Sequence, residues 1–188
     1  MTGRAQQTLR IIGGEWRGRK FQFPSAEHLR PTPDRVRETL FNWLMPIIEG
    51  ARCLDLFCGS GALGLEALSR GASEVMFVDK NKQVIDTLKR TCELVKTDKA
   101  RFFCGDANRF LDQTATAFDV IFLDPPYDLD LIEPIAKQLV KDRWLSPSAY
   151  IYIEHDGRFD VDLLPPTWQA HREKVAGQVY YSLYIRQD

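Results

Sequence analysis

The sequence has few residues that could cross-link it or hold a metal. Its four cysteines, Cys53, Cys58, Cys92 and Cys104, never form a Cys-x-x-Cys pair, and the three histidines, His28, His155 and His171, stand far from them. The pattern speaks against structural zinc and against a disulfide frame, so no metal is expected and a reducing compartment fits best. Long hydrophobic runs are missing as well: no stretch approaches the roughly 20 apolar residues that cross a bilayer. Met1 to Gln7 is polar and lacks the apolar core of a secretory signal. A cytoplasmic protein with no membrane attachment is the expectation. Net charge is nearly absent at −1, but it is unevenly spread. Between Met1 and Leu40 eight basic residues (Arg4, Arg10, Arg17, Arg19, Lys20, Arg30, Arg35, Arg37) face four acids (Glu15, Glu27, Asp34, Glu38), so the remainder is mildly acidic. Phosphate binding needs clustered charge rather than a high overall pI, and a basic segment on an acidic body suggests contact with a polyanion. The plainer alternative is a solvated tail.

What is present is enough apolar material for one full core: 188 residues, 44% of them hydrophobic. From Ala51 onward, short apolar runs alternate with amphipathic ones. Arg52 to Phe57, Glu74 to Val78, Arg101 to Cys104, Phe118 to Leu123 and Ala149 to Glu154 read as strands. Ala62 to Arg70, Lys82 to Val95, Asn108 to Gln113 and Leu131 to Lys141 read as helices. Such repetition implies an α/β fold with a mostly parallel sheet covered on both faces. Trp168 to Val175 and Val179 to Arg186, joined by Ala176-Gly177-Gln178, predict an antiparallel pair at the end of that sheet. Upstream, Thr32-Pro33-Asp34 reads as an N-cap with proline at the first helical position, opening a helix over Asp34 to Ile48. Before it, Leu9 to Gly14 and Trp16 to Phe21 read as two short strands around a glycine turn.

Two motifs carry the chemistry. Asp124-Pro125-Pro126-Tyr127 follows the apolar run Phe118 to Leu123, so a buried strand stops abruptly and holds a carboxylate, a free carbonyl and a flat ring on one rigid corner. That corner suits a flat base bearing an amino group: Asp124 and the Pro125 carbonyl accept its two hydrogens while Tyr127 stacks. A strand-ending turn is the plainer reading. The second motif is Leu54-Asp55-Leu56-Phe57-Cys58-Gly59-Ser60-Gly61-Ala62-Leu63-Gly64, a glycine-rich turn between strand and helix. Asp79 ends the next strand. This satisfies the dinucleotide fingerprint too, and the loop cannot decide between cofactor classes. Asp55 tips the balance, because a carboxylate beside a pyrophosphate is unfavourable, whereas one beside an ammonium group is attractive. Asp55 has capping of the nearby helix as its alternative, and so has Asp106, which could otherwise meet an adenine amino group.

Taken together, Asp55-x-Phe57-x-Gly59-x-Gly61, Asp79, Gly105-Asp106 and Asp124-Pro125-Pro126-Tyr127 look like the motif series of class I S-adenosylmethionine methyltransferases that modify exocyclic amino groups. The flanking segments Arg10-Ile11-Ile12-Gly13-Gly14-x-Trp16-Arg17-Gly18-Arg19, Arg30-Pro31-Thr32-x-Asp34 through Leu44, and His171 through Gln178 resemble the RsmD family. The likeness runs from about Leu9 to the C-terminus. It implies a Rossmann-like seven-stranded sheet and methylation of N2 of one guanine in 16S ribosomal RNA, in the head of the small subunit. It also implies S-adenosylmethionine as cofactor, with Asp55, Gly59 and Gly61 at its methionine end, Asp79 at its ribose and Asp106 at its adenine. Phe57, Ser60 and Ala107 complete that lining, and Asp124, Pro125, Pro126 and Tyr127 hold the target base. In domain terms, residues 1–31 are expected to form a basic extension, a β-hairpin contacting RNA, and residues 32–188 the methyltransferase domain. Arg10, Arg17, Arg19, Lys20 and Arg35, with Arg172 and Lys174 as a second patch, are the RNA-contacting candidates. Cys58 is expected to pack, since amino methylation needs no covalent enzyme intermediate. A monomer acting on 16S RNA or an assembling small subunit is the default. A DNA adenine-N6 methyltransferase and a silent RNA-binding scaffold are the rivals.

Overall fold

Strands that will be buried on both faces read as unbroken apolar runs, and this chain uses them at the centre of its sheet. The computed structural model describes residues 6–24, 32–127 and 130–187. Strands β3 (Arg52–Asp55), β4 (Glu74–Asp79), β5 (Ala100–Cys104), β6 (Phe118–Leu123) and β7 (Leu145–His155) are parallel. Strands β8 (Trp168–Ala176) and β9 (Val179–Arg186) finish the sheet as an antiparallel hairpin. The spatial order is β5-β4-β3-β6-β7-β9-β8. Helices α2 (Ala62–Ser69), α3 (Lys82–Leu94), α4 (Ala107–Leu111) and α5 (Ile132–Lys141) make the crossovers, and α1 (Asp34–Leu44) precedes β3. The chain runs outward from β3 through β4 to β5, then returns to β6 on the other side of β3. A crevice opens at the carboxyl ends of strands where the order reverses in this way. This is the Rossmann-like α/β fold expected from the alternating pattern.

Because side chains alternate along a strand, the sheet divides its apolar residues between two cores. Cys53, Phe77, Val120, Phe122 and Tyr152 face α1, α2 and α3, while Leu54, Val78, Ile121, Leu123 and Ile151 face α4 and α5. None of the described helices is long and apolar enough to cross a membrane.

Several boundaries differ from those read in the sequence, each for a local reason. Helix α1 ends at Leu44 rather than Ile48, because Pro46 has no N–H with which to continue the ladder. Its N-cap is Pro33, without a side-chain cap bond, so Thr32 is not the capping residue; its hydroxyl is turned to Asp124 and Glu154. Strand β7 starts at Leu145, ahead of Ala149. Pro147 in that stretch reads as a strand breaker, but the pairing bulges between Phe118 and Val120, Ser148 takes a positive φ of 56°, and Ser146 Oγ donates to Asp119.

The N-terminal strands are also displaced. Strands β1 (Gln6–Arg10) and β2 (Lys20–Pro24) pair antiparallel, and the connection from Ile11 to Arg19 is turns rather than strand. Part of its backbone is tied to α2: Ile12 and Gly13 N–H donate to Glu66 at 2.9 and 2.7 Å, and Trp16 N–H donates to Ser69 Oγ at 2.9 Å. Glu66 is wholly buried and also meets Arg70 Nε at 2.8 Å and the buried Arg37 guanidinium at 3.5 Å. Leu9, Ile11, Trp16 and Phe23 join the same core as α1, α2 and α3. Arg30 and Pro31, part of the expected RNA-contacting extension, lie outside the described residues.

Candidate functional site

Five parallel strands ending at one rim bring their terminal acids together. Asp55 closes β3, Asp79 closes β4, Asp106 follows β5, and Asp124 follows β6. The loop after β3 turns through Gly59 and Gly61, with φ of 48° and 77°, and leads into the N-terminus of α2. A side chain at Gly61 would be strained at that φ and would drive into Leu88. Glycine there lets the turn pack closely against α3 on its way into α2.

Each carboxylate on the cofactor side has a structural partner. Asp55 is buried and accepts from Gly64 N–H at 3.0 Å. Burial pushes its carboxyl up to about 7, against the pull of that Gly64 bond, and the charge of Asp79 adds to the rise. A cation placed beside it would favour the ionised form. Asp79 accepts from Gly59 N–H at 3.1 Å and from Asn81 N–H at 2.7 Å, and so ties the glycine loop to β4. Asp106 caps α4 by accepting from Arg109 N–H at 2.9 Å, which is the capping alternative the sequence left open. Carboxylate oxygens carry further lone pairs, so none of these bonds prevents a second acceptor role. Phe57 and Gly59 are half-buried, Ser60 and Ala107 buried. A rim of acids fits an ammonium and sugar hydroxyls, and an ionised Asp55 disfavours a pyrophosphate beside the loop.

Cys58 is buried, and burial, followed by the charges of Asp55 and Asp79, holds its thiol well above the ordinary range. The neutral thiol is a packing group rather than a nucleophile.

The corner at Asp124 is more elaborate than its sequence suggested. Asp124 is half-buried, Pro125 buried, and Pro126 exposed. Tyr127 Oη donates to Glu154 Oε1 at 2.8 Å, and Tyr152 Oη donates to Glu154 Oε2 at 2.8 Å. Leu123 pairs with Ile153 across β6 and β7, so Asp124 and Glu154 are the next neighbours in register. Burial, then the charge of Glu154, then that of Asp55, raise Asp124 well above the usual carboxylate range. Burial also raises Glu154, opposed by bonds from Tyr127, Tyr152 and Thr32. Thr32, Tyr152 and Glu154 were missed in the sequence. The one available signal was an acid at the end of the apolar run Tyr150-Ile151-Tyr152-Ile153.

Beside this corner lies an open hollow of about 130 Å³, lined by Pro125, Pro126, Tyr127, Ile132, His155 and Phe159 among others. His155 stacks on Tyr180 at 5.5 Å and meets Phe159 edge-on at 5.7 Å. Burial holds its imidazole below the ordinary value, so it is neutral at neutral pH. Apolar rings bordering an acid suit a flat, amino-bearing base.

The basic candidates do not form one patch. Arg10, Arg17, Arg19, Lys20 and Arg35 are exposed on the N-terminal hairpin, its connection and α1. The hairpin itself lies against α3 and the Gly59-Ser60 turn. Arg172 and Lys174 are exposed on β8, at the far edge of the sheet. Lys174 pairs with Tyr181, which pairs with Glu154, so this lysine stands level with the rim.

Comparison with known proteins gives a consistent result. The family described as conserved hypothetical protein 95 matches residues 9–185. The ribosomal RNA small subunit methyltransferase D of Escherichia coli K12 is 47% identical over 179 residues, covering 95% of this chain and 90% of that protein. Its namesake in Haemophilus influenzae is 45% identical over 188 residues, covering 97% and 96%. The solved Escherichia coli chain yhhF superposes with a TM-score of 0.87 at 46% identity, covering 96% of this chain and 99% of that one.

Proposed function

This chain belongs to the conserved hypothetical protein 95 family, that is, the RsmD family of class I S-adenosylmethionine-dependent methyltransferases, and from that premise we propose that it methylates the exocyclic N2 of one guanine in 16S ribosomal RNA of the small subunit. The observation that carries the reading is the Asp124–Tyr127 corner, with its acid, free carbonyl and ring beside an open apolar hollow. Asp55, Asp79 and Asp106 are assigned to the methionine ammonium, the ribose hydroxyls and the adenine amino group, with Phe57, Gly59, Ser60, Gly61 and Ala107 lining the same crevice. When bound, S-adenosylmethionine supplies an electrophilic methyl group on a sulfonium. The guanine amino nitrogen is a poor nucleophile because its lone pair is delocalised into the ring. Asp124 and the Pro125 carbonyl accept its two hydrogens, draw the lone pair out of the ring plane and hold it in line, while Tyr127 stacks on an unpaired base. Tyr127 suits that task because its bond to Glu154 fixes the ring. The protein is assigned to the cytoplasm and acts as a monomer on the assembling subunit.

The test is incubation with tritiated S-adenosylmethionine and undermethylated small subunits, naked 16S RNA and duplex DNA in parallel, followed by identification of the labelled nucleoside. N2-methylguanosine at one site, mainly in subunits, is expected. N6-methyladenine in DNA would overturn the substrate, and absence of label would leave a silent scaffold.

RNA docking is assigned to Arg10, Arg17, Arg19, Lys20 and Arg35, with Arg172 and Lys174 on the far edge strand β8 as a second patch. Deleting the N-terminal segment would not test this, since Leu9, Ile11 and Trp16 are core residues. Substituting glutamine for Arg10, Arg17, Arg19 and Lys20 together should weaken RNA binding. It should also lower the slope of log affinity against log salt by roughly 3, taking about 0.7 for each phosphate that is no longer neutralised. An unchanged slope in filter binding would make these four residues ordinary solvated surface.

A further inference from the structure

Two carboxyl groups, buried and half-buried, on adjacent strands with no cation between them among the described residues pose a charge problem that the fold must solve. Asp124 and Glu154 are neighbours across β6 and β7. Asp55 from β3, Tyr127 from the corner and Tyr152 on β7 face them, with Asp156 near Tyr127 and Tyr181 opposite Glu154 in the β9 register. None of these is a cation. Two like charges held this close cannot both ionise without a large cost, so the pair retains a proton.

The hydrogen bonds decide which partner keeps it. Glu154 receives Tyr127 Oη on one oxygen and Tyr152 Oη on the other, both at 2.8 Å. Donors aimed at both oxygens stabilise the anion. Asp124 has one such polar neighbour, the Thr32 hydroxyl, and shares it with Glu154. A hydroxyl has a single hydrogen to give, so when it donates to one carboxyl it can engage the other only by accepting from a protonated acid. The arrangement therefore has an ionised Glu154, a protonated Asp124 and Thr32 between them.

We propose that Glu154 is a positioning residue for methyl transfer: it holds Tyr127 in place and, acting through Asp124 and Thr32, receives the proton that the target amine releases. The inference rests on the proposed reaction. As the bond from N2 to the methyl carbon forms, the sulfur–carbon bond of the donor breaks with its electron pair on sulfur. N2, now positive, loses one hydrogen as a proton to the carbonyl oxygen of Asp124, while the proton already on Asp124 passes by way of the Thr32 hydroxyl to Glu154. Charge is conserved: the donor's positive charge is cancelled by neutralising Glu154. Asp124 ends protonated, as it began.

Two measurements test this. The first needs no turnover. In the infrared spectrum of the full-length protein at neutral pH, a carboxylic-acid C=O band is expected that vanishes in Asp124→Asn and persists in Asp55→Asn. Absence of any band sensitive to Asp124 would overturn the assignment of the proton, whatever the substrate proves to be. The second is the pH profile of kcat. In the wild type, kcat should rise with pH as Glu154 ionises and level off once it is fully ionised. Glu154→Gln removes the acceptor but keeps the shape, so kcat at neutral pH should fall by about 10²-fold with the cofactor Kd unchanged. Activity should then recover as pH rises through the ionisation of Asp124, which burial still holds above its ordinary value although Glu154 no longer raises it. Tyr127→Phe removes one donor from Glu154 and should move the acid limb of the wild-type profile to higher pH. An equal loss at every pH in Glu154→Gln, or no loss, would overturn the relay and leave a packing role.

Discussion

Asp124→Ala is expected to lower kcat by about 10²- to 10⁴-fold, the range for removal of a group that orients and handles a proton in the transition state, while the Kd for S-adenosylmethionine stays within a factor of two or so of the wild type. The separation follows from where the acids sit. Asp55, Asp79 and Asp106 stand after β3, β4 and β5, whereas Asp124 stands after β6, on the side of the corner and the hollow. The variant leaves the amino group with the Pro125 carbonyl alone, so its lone pair returns to the ring plane. Stability should not suffer in proportion, because truncation removes a carboxyl whose ionised form burial and the charges of Glu154 and Asp55 already disfavour. Single-turnover kinetics with calorimetric cofactor binding and a thermal melt would check all three parts. Near-normal methylation would remove Asp124 from the chemistry, and a matching loss of cofactor affinity would move it to the cofactor site.

Glu66→Ala should destabilise the fold by about 3–5 kcal/mol, the loss found when one partner of a buried ion pair is removed. Arg37 is 1% exposed and Glu66 0%, so the variant leaves a buried guanidinium with the exposed Asp34 as its one remaining carboxylate partner among the described residues. The cost extends beyond the pair. Glu66 also accepts from the backbone of Ile12 and Gly13 and from Arg70, and the guanidinium Nε already has no hydrogen-bond partner. For a chain of this size each kcal/mol moves Tm by about 2–4 °C, so a fall on the order of 10 °C is expected, with a lower urea midpoint. Replacing Arg37 with methionine in the Glu66→Ala background should recover part of the loss, because it removes a buried charge left with only the exposed Asp34 to answer it. A variant as stable as the wild type would show that the N-terminal segment is held by apolar packing alone. The consequence reaches the site, since the hairpin anchored by this network lies against the Gly59-Ser60 turn. Hydrogen exchange should therefore quicken at that turn as well as at Ile12 and Gly13.

Much of this molecule was legible because its chemistry is local. The apolar runs at Cys53–Leu54 and Val120–Leu123 announced strands buried on both faces, and the glycines at 59, 61 and 64 announced a turn into a helix. The acids at 55, 79, 106 and 124 announced themselves by following strands, and a parallel sheet necessarily gathers such ends at one rim. The misread boundaries were also local, but they depended on partners. Pro147 is tolerated in β7 because a bulge absorbs it, and Ile12 and Gly13 leave the strand ladder because Glu66 takes their N–H groups.

Residues 9–185 alone place the chain in its family, with its fold and its cofactor class, since these depend on runs and spacings a few residues long. Only the tertiary structure decided that Thr32, Tyr152 and Glu154 gather at the Asp124 corner, that Arg37 answers Glu66, and that the basic residues divide between the N-terminal segment with α1 and the far edge strand β8. Those arrangements join side chains from distant segments. Their charge and hydrogen-bond states are set by burial and by one another, and no short window of sequence contains Thr32, Asp124 and Glu154 together, or Arg37 with Glu66.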